Sequence, residues 1–394
     1  MTLRGIDTGV TWIFFGIRGL HSMSMITETH DAVTFDTIAV AENGWAIDIL
    51  DQTFLPHDYV IKRLTKATEG GEAISAMRVR GAPLIGVTAA YTIALAMYED
   101  AGEKNLRGAA EILRNSRPTA VNLAWSVDQM LKLLLPLEHG ARCKAAYQRA
   151  NEMAGKDIAT NFAIGEHGLP ILEDIKKRKK EECEPINVLT HCNAGALATV
   201  GWGTATAPIY LAHQRGLNLH VWVDETRPRN QGASLTAWEL SRNNVPHTVI
   251  PDNVGGHLMQ NGKVDVCITG SDRTTLNGDV ANKIGTYLKA LAAHDNGIPF
   301  FVALPSSTID CKITDGVKDI PIEKRQSEEV AWLSGKTKSG KMERVRIVPE
   351  GTPVENYAFD VTPAKFITGL ITERGITKAS YAGLTALFPE YKRQ

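Results

Sequence analysis

At 394 residues the chain is long for a single hydrophobic core, so two domains are the expected arrangement. Its composition, 43% hydrophobic and 22% charged, is that of an ordinary globular protein, and a formal net charge of −1 excludes the broad positive field that gathers nucleic acid or an anionic membrane. Five scattered cysteines without a CxxC pair argue against a disulfide framework or a zinc site, and for a reducing compartment.

Taken in chain order, the first notable segment is "GVTWIFFGIRGLHSM", apolar between Arg4 and Arg18 but with no cleavage pattern behind it. Residues 1–25 are read as a dispensable extension, with Met23 and Met25 as alternative starts. No run approaches the roughly 18 to 20 apolar residues of a membrane span. Residues 26–155 read as a smaller, mainly helical domain with a little antiparallel sheet. "AIDILDQTFLP" has strand character, and "GAPLIGVTAAYTIALAMYED" is apolar almost all round, as a buried helix must be. "TAVNLAWSVDQMLKLLLPL" places apolar residues at i, i+3, i+4 and i+7, with Pro118 near its start. Five consecutive basic residues, Lys176 to Lys180, read as the solvated end of a helix. A nuclear address is the sharper alternative.

From Ile186 the rhythm changes to β-branched runs alternating with helical stretches: "INVLTHC", "LHVWVDE", "HTVIPD", "VDVCITGSD" and "PFFVALPSS". This alternation predicts a doubly wound, mainly parallel, Rossmann-like sheet over residues 156–394, making the chain an α/β protein. Neither GxGxxG nor GxxxxGK[ST] occurs, so a dinucleotide or P-loop site is unsupported. Ligands of such sheets sit at the carboxyl edge. Here that edge carries Cys192, Asp224-Glu225-Thr226-Arg227, Asp252, Ser271-Asp272-Arg273 and Ser306-Ser307. Asp252 and Ser306 suit helix caps better than catalysis. Cys192 is either a buried structural thiol or one activated by the positive pole of a helix starting behind it, which would lower its pKa. Three cations, Arg80 before Gly81-Ala82-Pro83, Arg117 before Pro118, and Lys283 after Asn282, are each expected at a helix start, where phosphate is readily held.

The segments "MRVRGAPLIG", "NSRPTAVNLAW", "HCNAGALATVGWGTA", "DETRPRNQGASLTAWEL", "GSDRTTLNGDVANKIGTY" and "FDVTP" resemble, in this order, the family of methylthioribose-1-phosphate isomerases. That family is similar in fold to the regulatory subunits of translation initiation factor 2B and to ribose-1,5-bisphosphate isomerase. The resemblance covers roughly residues 44 to 385. It implies an aldose–ketose isomerase of methionine salvage with Cys192 as catalytic thiol and Asp272 as catalytic carboxylate. It further implies substrate contacts from Arg80, Gly81, Ala82, Arg117, Gln231, Asn282 and Lys283, no metal or organic cofactor, and a homodimer. A cytoplasmic location, with the nucleus as a second one, goes with this reading. Ser271 stands where the family usually has Ala and Tyr357 where it usually has Pro, and residues 1–25 have no counterpart. A non-catalytic exchange-factor subunit and a ribose-1,5-bisphosphate isomerase are the alternatives.

Overall fold

The structure is a computed structural model and describes residues 33–117 and 121–392. The expected extension at 1–25 and Pro118 lie outside the described residues. The chain opens on a three-stranded antiparallel sheet of Ile38–Val40, Ile47–Leu50 and Ile61–Leu64. Helices then dominate, as the periodicity predicts. Glu103–Ser116 buries Leu106, Ala109, Ala110 and Leu113, a single stripe at helical spacing. Ala82–Glu99 is long and apolar enough to pass for a membrane span, with mean hydropathy 1.2, contrary to the expectation that no run comes close. Its residues Leu84 to Met97 are all buried, so it is the central helix of this half.

A 40-residue helix, His139–Arg178, joins the two halves. Ala146, Ala150 and Met153 pack into the core of the helical half, whereas Ile164, Leu169 and Leu172 pack against the large sheet. Residue 155 falls inside this helix. The basic run closes it, close to the expected solvated end. Lys177 pairs with Asp174 at 2.8 Å, Lys179 reaches Asp265 at 2.7 Å, and Lys176 donates to the Glu184 carbonyl at 3.1 Å.

The large sheet has seven strands in the order Gly375–Thr377, Gly369–Thr372, Phe300–Ala303, Val266–Thr269, Ile186–Thr190, Leu219–Asp224 and His247–Ile250. All pairings are parallel except the first, which is antiparallel. Alternation along the central strands splits the core in two. Val188, Val221 and Ile268 face one layer, and Leu189, Cys267 and Val302 face the other. From Ile186–Thr190 the chain first winds outward one way and then, from Val266–Thr269, the other. The reversal lies beside the strand that precedes Cys192, which is where a doubly wound sheet opens its ligand crevice.

Two expectations fail locally. The helix expected to start behind Cys192 does not form there: Ala196–Ala198 makes a single 3-10 turn, and α-helix starts only at Ala207–Gln214. Gly203 makes a close backbone approach instead, where a Cβ would lie 2.3 Å from the Gly195 carbonyl carbon. Asn282 and Lys283 do not begin a helix either. They end the strand Val280–Lys283 of a small second sheet, which also contains Ile309–Asp310, Arg273–Thr275 and Phe359–Thr362. The helix Thr286–Asp295 begins after Gly285, whose φ of 101° turns the chain.

Candidate active site

Ile186–Thr190 ends one residue before His191, and Cys192 follows with a φ of 63°. This left-handed conformation costs a non-glycine residue about 1–2 kcal/mol, so the surroundings must enforce it. They do so on both sides of the residue. The Cys192 N–H donates to Thr226 Oγ1 at 2.8 Å, and Thr236 Oγ1 donates to the Cys192 carbonyl at 2.6 Å. The thiol lies 3.4 Å from Gln231 Oε1. No helix pole stands behind it, because the following α-helix starts only at Ala207. The expected lowering of its pKa is therefore overturned: burial pushes the Cys192 thiol up, with Asp272 adding to the rise, against the pull of Arg80 and Lys283.

Asp272 lies between the central sheet and the small one, its N–H donating to the Ala281 carbonyl at 3.0 Å. Burial raises its carboxyl, while Lys283, Arg117 and Arg80 pull it down and Glu323 adds to the rise. Desolvation lowers the ammonium pKa of the half-buried Lys283, which sits 4.9 Å over the Phe359 ring. Among the described residues, no carboxylate lies within ion-pair distance of it. Arg80 is held from the other side, donating to Asn193 Oδ1 and, at 2.7 Å, to the Asn193 carbonyl. Next to it, Gly81 has a φ of 93°, and a Cβ there would lie 2.4 Å from the Ala198 carbonyl oxygen. Only glycine fits. Gly81 also stands at the N-cap of Ala82–Glu99, whose first-turn N–H groups no side chain caps. Arg117 is the C-cap of Glu103–Ser116, and the next described helix runs from Val121, so the start expected at Pro118 lies outside the described residues. The buried Nε of Arg117 has no partner among the described residues, and its Nη2 is 3.9 Å from Glu323 Oε2.

Cys192, Asp272, Arg80, Gly81, Ala82, Arg117, Gln231, Asn282 and Lys283 all line one cavity. Of the other polar strand ends, Ser271 joins them and the rest do not. The Asp252 carboxylate accepts the N–H groups of Thr226 and Arg227 at 2.7 and 2.8 Å, stapling the loop that cradles Cys192. Ser271 does line the cavity, its hydroxyl 2.9 Å from Thr274 Oγ1. Tyr357 is exposed, beneath the Lys324 ammonium at 4.8 Å.

Several contributors escaped the sequence reading. His191 bridges Asp224 Oδ2 through Nδ1 and the Ile284 carbonyl through Nε2, both at 2.8 Å. It thereby ties the segment bearing Cys192 to the one bearing Lys283. His191, Asp224 and Asp252 approach closely enough to hold a metal, but Lys289 Nζ sits 3.0 Å from Asp224 Oδ2 and donates to the Asp252 carbonyl. A resident ammonium supplies the positive charge there. The only sequence signal for this group was its position, a His before the thiol and an Asp closing the next strand.

A sequence profile of the initiation factor 2 subunit family matches residues 78–379. The chain belongs to that family. Methylthioribose-1-phosphate isomerase of Sinorhizobium medicae is 58% identical over 356 residues, covering 90% of this chain and 98% of the relative. The crystal structure of 5-methylthioribose 1-phosphate isomerase from Pyrococcus horikoshii superposes with a TM-score of 0.80 at 38% identity, covering 93% of this chain and 100% of that one. Translation initiation factor eIF-2B subunit delta from A. fulgidus reaches a TM-score of 0.75 at 35% identity, over 90% of this chain and 100% of that one.

Proposed function

We propose that the chain is an isomerase that converts 5-methylthioribose 1-phosphate into 5-methylthioribulose 1-phosphate in methionine salvage. The observation that carries this reading is the convergence of a buried thiol, a half-buried carboxyl and three cations on one cavity. The substrate is a furanose whose anomeric oxygen is phosphorylated, so it cannot open by losing an anomeric proton. Opening requires a proton on the ring oxygen as the C1–O bond breaks. An ordinary aspartate, with a pKa of about 3.9, is ionised at neutral pH and cannot give one. Burial raises the Asp272 carboxyl, the direction a proton donor requires, and its place in the cavity makes it the acid of this proposal. Arg117, Lys283 and the uncapped turn at Ala82 grip the phosphate, Arg80 sets the cationic wall beside the thiol, and Gln231 and Asn282 orient the sugar hydroxyls.

Hydrogen must then pass from C2 to C1 while the C2 hydroxyl proton leaves. In an enolate route the Cys192 thiolate takes the C2 proton and returns it to C1. In a hydride route the hydrogen migrates with its electron pair to the cationic C1, and the Asp272 carboxylate recovers the hydroxyl proton. A thiol kept protonated by burial is no base at C2, which favours the hydride shift. Turnover in heavy water tests this, because deuterium incorporated at C1 excludes direct transfer.

Incubating the purified protein with methylthioribose 1-phosphate tests the function itself; absence of a ketose product refutes it. The neighbour named as an exchange-factor subunit makes a non-catalytic role the second reading, and stable co-purification with other exchange-factor subunits would support it. The presence of both Cys192 and Asp272 in one cavity favours catalysis. A homodimer in the cytoplasm is part of the same proposal, tested by light scattering and by imaging of the tagged protein. Five unpaired cysteines support the reducing location. A nuclear share rests on the basic run alone, so neutralising Lys176 to Lys180 and repeating the imaging tests it.

A further inference from the structure

The cavity holding Cys192 and Asp272 opens past Met77, Arg80 and Gln231 into a wider outer chamber. Its two ends differ in chemistry. The inner end combines Arg117, Lys283 and the uncapped first turn of Ala82–Glu99, a setting for a phosphate dianion. A furanose held there by its C1 phosphate carries its C5 substituent across the ring, away from the anomeric carbon and toward Met77. We propose that Met77, which lines both compartments, together with Leu55, Leu235 and Trp332 of the outer chamber, forms the seat of an apolar C5 substituent. This seat selects a methylthio group over a hydroxyl or a second phosphate. The inference rests on the isomerase reading above.

Three observations support the seat. Met77 has a φ of 58°, rare for a residue with a side chain, and is buried where the two compartments meet. Leu235 belongs to the π-helical turn Gly232–Thr236, which directly follows the Gln231 that touches the thiol, so one turn positions both seat and thiol. The outer chamber offers no surplus of cations for a second phosphate: Arg80, Arg229 and Arg344 are matched by Asp58, Glu328 and Glu329, and Arg229 is already paired with Glu329 at 2.8 Å. A second phosphate at C5 would there meet as many carboxylates as guanidiniums.

The experiment is steady-state kinetics of the full chain with methylthioribose 1-phosphate, ribose 1-phosphate and ribose 1,5-bisphosphate. The native protein is expected to prefer the methylthio sugar over ribose 1-phosphate by about tenfold or more in kcat/KM, the usual yield of one apolar subsite. Two variants test the seat: Met77→Asn, since Asn accepts the left-handed backbone, and Trp332→Ser, on the two-stranded ribbon Trp332–Lys336/Met342–Arg346. In each, the loss for the methylthio sugar should exceed the loss for ribose 1-phosphate by at least about fivefold, mostly through KM. If the native protein turns over the methylthio sugar but both variants keep the discrimination, or lose both substrates equally, the seat is wrong. Turnover of none of the three sugars by the native protein would overturn the isomerase reading and the seat with it. A preference for the bisphosphate would overturn the seat alone.

Discussion

Replacing Asp272 by Asn separates the two states in which its carboxyl can exist. An amide is nearly isosteric with a protonated carboxyl and carries the same zero charge. If burial keeps Asp272 neutral, the variant leaves the charge around Arg80, Arg117 and Lys283 unchanged. The fold should then be as stable as before at pH 7, with an unchanged urea midpoint. Catalysis should not survive as well, because the amide has no proton to give the ring oxygen. Loss of a positioned general acid lowers turnover about 10²- to 10⁴-fold, which at about 1.4 kcal/mol per factor of ten is roughly 3–5 kcal/mol of transition-state stabilisation. Ketose formation from methylthioribose 1-phosphate, measured beside urea denaturation, gives both readouts on one preparation. The opposite pattern refutes the reasoning. If Asp272 is an ionised partner of the buried Arg80 and the half-buried Arg117 and Lys283, its loss strands them, and breaking a buried charge pair costs up to about 3–5 kcal/mol of stability. A midpoint falling by that much, or turnover within a factor of ten of the native protein, means that Asp272 is not the acid.

Cys192→Ser should fold normally, since both hydrogen bonds that hold this left-handed residue go to its backbone, and it decides whether the sulfur acts as a base. In the hydride shift favoured above the thiol only shapes the cavity, so kcat should fall by no more than about tenfold, whereas a fall of about 100-fold or more refutes that route in favour of a thiolate base; circular dichroism and the same assay check both. Arg117→Ala removes a cation whose buried Nε has no partner among the described residues, so KM should rise about 10-fold or more with a smaller fall in kcat; titration with inorganic phosphate as a competitive inhibitor should show the same weakening. Stability should also depend on pH through Asp157, whose carboxyl burial pushes up to about 7. Because the folded pKa lies above the unfolded one, its contribution is complete in acid and is lost as pH rises through about 7. The shift from about 3.8 to about 7 corresponds to roughly 4 kcal/mol. Asp157 Oδ2 accepts both Val200 N–H and Asn161 Nδ2, at 2.8 and 3.0 Å, leaving Oδ1 for the proton. Asp157→Asn should therefore keep those bonds and flatten the fall in urea midpoint between pH 5.5 and 8; an equally steep fall in the variant assigns the pH dependence elsewhere.

Sequence alone determined the elements with a strong period and the chemistry that motif order carries. Leu123, Val127, Met130 and Leu134 announce their helix because local spacing decides which face is buried. The β-branched runs from Ile186 onward announce parallel strands for the same reason. Cys192, Asp272 and the cations were legible because their neighbours form distinctive local segments. Only the tertiary structure decided what those side chains experience. No periodicity marks Asn282-Lys283 as a strand end, since the four-stranded sheet pairs Val280–Lys283 with Phe359–Thr362, far along the chain. Nor does any local signal place His191 between Asp224 and Ile284, or keep a helix from forming directly behind Cys192. The direction of the thiol's pKa went the same way: a helix pole is a local inference, whereas desolvation depends on every segment that closes over the sulfur. Strand and helix preferences follow from a few neighbouring residues, but burial and electrostatic environment are sums over the whole fold.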